Sequence, residues 1–277
     1  MQAALKGLSE AGEVVVKLIR QAERFVYLES SDLTALDPAA GAAGAALNVR
    51  QALRDRLLAN PALHVLVCLP VEPVHPYLGM RRFLSHRNNQ AVAAFRAGTA
   101  PVAPFSPPMK DRFVVFSPFA GARRPLRIAS TTVIVDDVVA VTGGFALSRR
   151  GLTFDSSLAV ALFDERLGRG RSREVFQFRQ RLLADRLGER PEDLPADGAV
   201  VAAMVRQALE GGFNRDISLP TPPTGRIPAP ASSPPTTRTA GPRPASTPSR
   251  TSPPWPWTCP CGISWPEYRP SRPLTRR

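Results

Sequence analysis

Residues 127–165, RIASTTVIVDDVVAVTGGFALSRRGLTFDSSLAVALFDE, hold two Val/Ile-rich runs on either side of Asp136-Asp137. β-Branched residues suit a pleated, half-buried surface and paired aspartates suit a turn, so 132–144 is predicted to be a tight hairpin. SLAVALF, residues 157–163, supplies a further strand.

Upstream lie three more candidate strands, FVYLE (25–29), LHVLVCL (63–69) and RFVVF (112–116). The second is a continuous apolar run bounded by prolines, the pattern of a strand covered on both faces. Between these strands apolar residues return at helical spacing. Val15, Leu18, Ile19 and Ala22 form one helix face; Val49, Ala52, Leu53 and Leu57 form another, stopped by Asn60-Pro61. After the loop PVEPVHPYLG (70–79) a helix is predicted at 80–97. Two more follow, 171–187 with Val175, Phe178 and Leu182 on one side, and 197–210 with Val201, Met204, Val205 and Ala208. Strands first alternate with helices and then run consecutively. That order predicts an α/β fold, a mixed β-sheet flanked by α-helices.

Composition divides the chain. Beyond Leu219 lie 17 of the 30 prolines, all three Trp, eight Arg and one acid, Glu267, which accounts for seven of the net +13. The expected organisation is a folded domain over 1–215 and a Pro/Ser/Thr/Arg-rich tail over 216–277. The tail has no periodicity and few aliphatics, so it is predicted to be disordered with polyproline-II character. The pI of 11.1 is largely a tail property and does not mark a specific nucleic-acid-binding domain. The tail arginines suit nonspecific contact with anionic surfaces. Cys259-x-Cys261 lacks the further ligands that zinc requires, so neither metal nor cofactor is expected. No apolar run approaches the ~20 residues of a membrane-spanning helix, and Lys6, Glu10 and Glu13 interrupt any signal-peptide core. A cytoplasmic or membrane-peripheral location is the expectation.

The segment 127–165 resembles the second catalytic repeat of the phospholipase D superfamily. That repeat runs His-x-Lys-x-x-x-x-Asp, turns at hydrophobic-Asp-Asp, passes through Gly-Ser-x-Asn, and continues with an Arg pair and Asp-Ser-Glu. Here VIVDD, VVAVTGG, Arg149-Arg150 and Phe154-Asp155-Ser156 keep that order. AERFVYLESSDL (22–33) is similar to the family strand that ends in Glu-Asn-Gln-Tyr, with Glu29 in the Glu place. LRDRLLANPALHVLVCLP (53–70) and VFQFRQRLLADRLG (175–188) resemble the following helix–strand unit and the closing helix. The resemblance spans about residues 10–190 and implies a phospholipase D-like second-repeat half.

The positions that would carry the family's chemistry have changed. Ala129 stands in the His place and Thr131 in the Lys place; Gly144 replaces Ser, Ala146 replaces Asn, and Ser157 replaces Glu. Asp136 is kept. His64, His75 and His86 are followed two residues later by Leu66, Tyr77 and Asn88, so none rebuilds the motif. The resemblance implies cleavage of a phosphodiester through a phosphohistidine, with Lys and Asn on the phosphate oxygens and the Asp in support. Imidazole suits the first task because it is uncharged and basic near neutral pH, and cations stabilise the charge that builds. Alanine has no nucleophilic atom, and threonine has no charge. The expectation is a catalytically defective domain, a pseudoenzyme or the structural half of a phosphodiesterase. The other reading is a working phosphodiesterase or phosphatidyltransferase on phospholipids, active through a complementing subunit. Both leave room for a second phospholipase D-like half as partner, in a homo- or hetero-dimer.

Single features carry their own readings. Asp136-Asp137 reads as a hairpin turn with solvated aspartates rather than a metal-binding pair. Arg149-Arg150 reads as a surface pair at a helix start; the functional alternative is a phosphate held by these forks together with Ser130. Ser130-Thr131-Thr132 read as strand-edge polar residues or as hydroxyls offered to an anion. His75 and His86 flank a loop with Arg81, Arg82 and Arg87, which is either a solvated helix face or a phosphate-attracting patch. Cys68 reads as a small core residue.

Overall fold

Val26, Leu28, Val65 and Val67 face one side of their strands, and Phe25, Tyr27, Leu66 and Cys68 face the other; both sets are buried. Strands apolar on both faces need cover on both. The computed structural model describes residues 9–37, 47–97, 108–120, 124–153, 155–164, 170–211 and 217–218, and in it the cover is helical on each side. The strands are β1 (Phe25–Glu29), β2 (His64–Cys68), β3 (Phe113–Ala120), β4 (Arg124–Pro125), β5 (Thr131–Val135), β6 (Val139–Gly143), β7 (Ala159–Phe163) and β8 (Ile217–Ser218). The helices are α1 (Glu10–Gln21), α2 (Val49–Ala59), α3 (Leu78–Ala97), α4 (Met109–Arg112), α5 (Arg173–Leu187) and α6 (Gly198–Gly211).

The sheet order is β4-β3-β2-β1-β5-β6-β7, with β8 paired to β3. β1, β2 and β3 are parallel, whereas β5, β6 and β7 are joined antiparallel from β1 outward. On one face Val15 and Ile19 of α1, Leu53 and Leu57 of α2, and Val92 and Phe95 of α3 pack against the valines of the sheet. On the other, Val175, Leu183 and Leu187 of α5 and Val201 and Val205 of α6 cover Tyr27, Leu66, Phe116 and Ile134. The mixed sheet flanked by helices is therefore as expected.

Local chemistry sets the ends of the elements. Asn48 caps α2 by accepting the Gln51 N–H at 2.9 Å, and Ser172 caps α5 by accepting that of Val175 at 3.0 Å. α5 stops at Gly188, whose φ of 71° is left-handed. The Arg112 guanidinium donates to the Leu57 and Asn60 carbonyls at 3.0 and 2.9 Å, which satisfies the end of α2 where Asn60-Pro61 breaks it. β3 runs to Ala120, beyond the predicted RFVVF, because β4 and β8 pair with its outer half. The Ala/Gly-rich loop at 39–46 and the expected tail, apart from β8, lie outside the described residues. Among the described residues no helix is long and apolar enough to cross a membrane.

Candidate functional site

The topology gathers most of the motif-equivalent positions at one end of the sheet. The C-terminal ends of β1, β2 and β3 lie beside the start of β5, the end of β6 and the start of β7. Ala129, Ser130 and Thr131 enter β5 there. Gly144 leaves β6 and donates its N–H to the Leu158 carbonyl at 3.1 Å, next to Ser157. Ala146 follows in the loop after β6. Asp136 lies at the far end of β5, roughly 16 Å away at the usual strand rise.

Thr131 is buried, and its Oγ1 lies 2.9 Å from Ser30 Oγ. The Ser30 hydroxyl also donates to the Asp32 carbonyl at 2.8 Å and accepts the Leu147 N–H at 3.1 Å. A hydroxyl has one proton and two lone pairs, so Ser30 is saturated by these three partners. It joins the end of β1, the start of β5 and the loop after β6. Thr132 and Thr142 form a cross-strand hydroxyl pair at 2.9 Å on the opposite face. Ala129 and Ser130 are exposed. Ser30 escaped the sequence reading because its main partner is 101 positions away, and no local signal marks it.

Glu29 is buried and fully engaged. Arg186 of α5 grips it with Nε at 2.9 Å and Nη2 at 3.1 Å, and the Tyr27 hydroxyl donates to it at 2.8 Å. This is the bidentate fork geometry of a strong ion pair. Burial alone would lower the Arg186 pKa; the hydrogen bonds and charge of Glu29 outweigh it and raise it. Burial, then the charges of Cys68 and Glu29, raises the Tyr27 hydroxyl well above its ordinary value. Burial also raises the Cys68 thiol, with Glu29 adding to it, so this core cysteine stays a neutral thiol. The Glu29 carboxylate thereby accepts three hydrogen bonds from side chains of the fold.

Asp136 and Asp137 form the hairpin turn as read, but Asp137 is buried and both carboxylates are engaged by distant groups, so the expectation of freely solvated aspartates is corrected. Asp136 and Asp137 have φ of 53° and 57°, the left-handed pair that a type I′ turn requires. Asp136 then points its carboxylate at the start of β1. Its Oδ1 accepts the N–H of Arg24 at 2.8 Å and of Phe25 at 2.7 Å, and its Oδ2 that of Glu23 at 2.7 Å. Asp137 pairs with Arg179 at 2.5 and 3.0 Å, and the Arg179 side chain is completely buried. The periodicity of 171–187 gave no sign of this arginine. Beside the turn opens a cavity of about 580 Å³, lined by Glu23, Arg24, Asp136, Asp137, Arg171 and Asp197 among others, and by no histidine.

Two further expectations change. Arg149 and Arg150 sit in an exposed turn and not at a helix start; Arg150 pairs with Asp155 at 2.6 Å. His86 lies within α3 and not at the edge of a loop, and Arg87 turns away to Asp37 at 3.0 Å. His75 and Arg81 do share a cleft, but with Arg124 and Arg127, which the sequence reading did not connect to them. Among the described residues no group of three or more His, Cys, Asp or Glu is placed to hold a metal.

No family model matches the chain, and no curated protein matches it. Solved structures do. Those it matches include phospholipase D superfamily members. NucT from Helicobacter pylori matches with a TM-score of 0.34 at 13% identity, over 55% of this chain and 76% of NucT. Nuc from Salmonella typhimurium, a phospholipase D family member, matches with a TM-score of 0.38 at 14% identity, over 66% of this chain and 92% of Nuc. Phosphatidylserine synthase of Haemophilus influenzae Rd KW20 matches with a TM-score of 0.44 at 13% identity, over 73% of this chain and 43% of the synthase. At the end of the sheet where β5 begins and β6 ends, the positions matching the repeat carry the hydroxyls of Thr131 and Ser157 and the methyl groups of Ala129 and Ala146, with the Ser30 hydroxyl beside them.

Proposed function

We propose that this chain is a phospholipase D-like domain without catalysis of its own, acting as a pseudoenzyme or as the structural half of a phosphodiesterase. The observation that supports this reading is the fate of position 131. Where the family pattern has a phosphate-binding lysine, a buried threonine is tied to Ser30 at 2.9 Å. Two residues earlier an alanine side chain replaces the nucleophile. Loss of a covalent nucleophile costs on the order of 10³–10⁶ in rate, and loss of one anion-stabilising donor roughly 10²–10³. Neither Ser30 nor Thr131 substitutes as nucleophile, because their hydroxyls are committed to each other and to the backbone, and among the described residues no carboxylate or imidazole is hydrogen-bonded to either. In the structural-half role the partner is a second phospholipase D-like chain.

The test is hydrolysis of bis-(p-nitrophenyl) phosphate and phosphatidylcholine by the purified chain. The expected result is no turnover above buffer. Turnover that disappears in Thr131→Ala would overturn the proposal.

A further inference from the structure

From the loop after β2 into the first turns of α3 the chain carries a run of exposed apolar side chains. Val74, Tyr77, Leu78, Met80 and Phe83 are exposed by 50, 74, 47, 43 and 43%. Single exposed apolar residues are ordinary, but five within one short stretch form a ridge that calls for a partner. Gly79 in its middle faces open space: a Cβ there would meet nothing within 4 Å.

At the foot of the ridge lies a cleft of about 530 Å³. Val74, His75 and Arg81 line it together with Arg124 and Arg127 from the chain that enters β5. Glu72 is the carboxylate in its lining, 3.4 Å from Arg81 Nη1 in a solvent-exposed pair of little strength. Arg81 Nε is buried and has no hydrogen-bond partner. His75 Nδ1 accepts the Tyr77 N–H at 3.2 Å, which leaves the other ring nitrogen as a donor. Arg82, in the second turn of α3, adds an exposed charge.

We infer that this ridge and cleft dock the protein on an anionic phospholipid bilayer, the ridge entering the headgroup boundary and the cleft receiving a lipid phosphate. The pairing of features selects this partner. Apolar side chains gain by leaving water for the acyl boundary, and arginines beside them gain from the negative surface potential. A second copy of the chain would meet the apolar ridge with the same arginines, like charge against like. A soluble phosphate would use the cleft and leave the ridge in water. The inference stands whether or not the chain is catalytic.

Co-sedimentation of the full-length chain with vesicles of phosphatidylcholine, with and without phosphatidylserine, tests it. The chain is expected on the phosphatidylserine vesicles. Arg124→Ser with Arg127→Ser is expected to weaken partitioning about twentyfold or more, at roughly fivefold per arginine. Tyr77→Ser with Phe83→Ser is expected to weaken it at least about tenfold. All four residues are exposed, so both variants should keep the wild-type circular dichroism. The inference is overturned if the wild type does not bind these vesicles. It is also overturned if both variants bind as wild type does, which would assign binding to the arginine-rich tail. Loss of self-association in Tyr77→Ser with Phe83→Ser, with vesicle binding intact, would assign the ridge to a second copy and overturn it as well.

Discussion

Asp136 keeps its motif place yet acts on the backbone. Its carboxylate accepts three N–H groups at the start of β1, more than 110 positions earlier in the chain. Bonds to a charged acceptor are worth roughly 1.5–3 kcal/mol each, less where water can replace them. Asp136→Ala is therefore expected to lower the urea-denaturation free energy by about 2–4 kcal/mol, with Asp136→Asn recovering part of it. A loss below about 0.5 kcal/mol would refute the pinning role. Asp32 behaves in the opposite sense. Burial raises its pKa above the ordinary 3.8, although bonds from Thr34 and the charge of Arg87 pull it back. A carboxyl with a raised native pKa binds its proton more tightly in the fold than in the unfolded chain. Its contribution to stability is thus full below the ordinary value and fades as pH rises through the raised native value. Asp32→Asn keeps the acceptor for the Thr34 N–H and removes the titration. Denaturation midpoints across the acid range should fall less with rising pH in Asp32→Asn than in wild type; an unchanged slope would contradict the assignment.

At the scale of elements, β7 stands apart from the other long strands. It lies at the sheet edge, and Leu158, Val160, Leu162 and Phe163 are exposed by 78, 50, 38 and 68%. The step from β6 to β7 is close: a Cβ on Gly143 would stand 2.2 Å from the Leu158 carbonyl oxygen, so only glycine fits there. A long apolar edge with free backbone groups is a template for pairing with another chain. Val160→Lys with Phe163→Lys is expected to shift stability by less than about 1 kcal/mol while reducing concentration-dependent association in light scattering. Unchanged association would show that the edge is not the adhesive surface. The remaining elements illustrate how periodicity translates into cover. The helix faces read from Val15, Ile19, Leu53 and Leu57 all land in one core, and those from Val175, Val201 and Val205 in the other. Each face was legible because burial on a regular helix or strand leaves a repeat of fixed length in the sequence.

For the whole molecule, the layering joins two kinds of information. The hairpin at Asp136-Asp137, the strands at 25–29 and 63–69 and the order of elements follow from residue pattern alone, because turn dihedrals, β-branching and apolar repeats are local properties. So does the absence of imidazole and ammonium from positions 129 and 131, since side-chain chemistry needs no coordinates. Other features come from the tertiary structure only. Asp136 and Asp137 are polar turn residues in the sequence, and one becomes an anchor for β1 and the other the partner of a buried arginine 42 positions away. Ser30 becomes the node that holds Thr131, and Arg124 and Arg127 come to share a cleft with His75 and Arg81. The physical reason is common to all of these. A hydrogen bond or ion pair between distant residues depends on both ends arriving at the same place with their lone pairs and protons matched, and that requirement leaves no repeat in the sequence of either end.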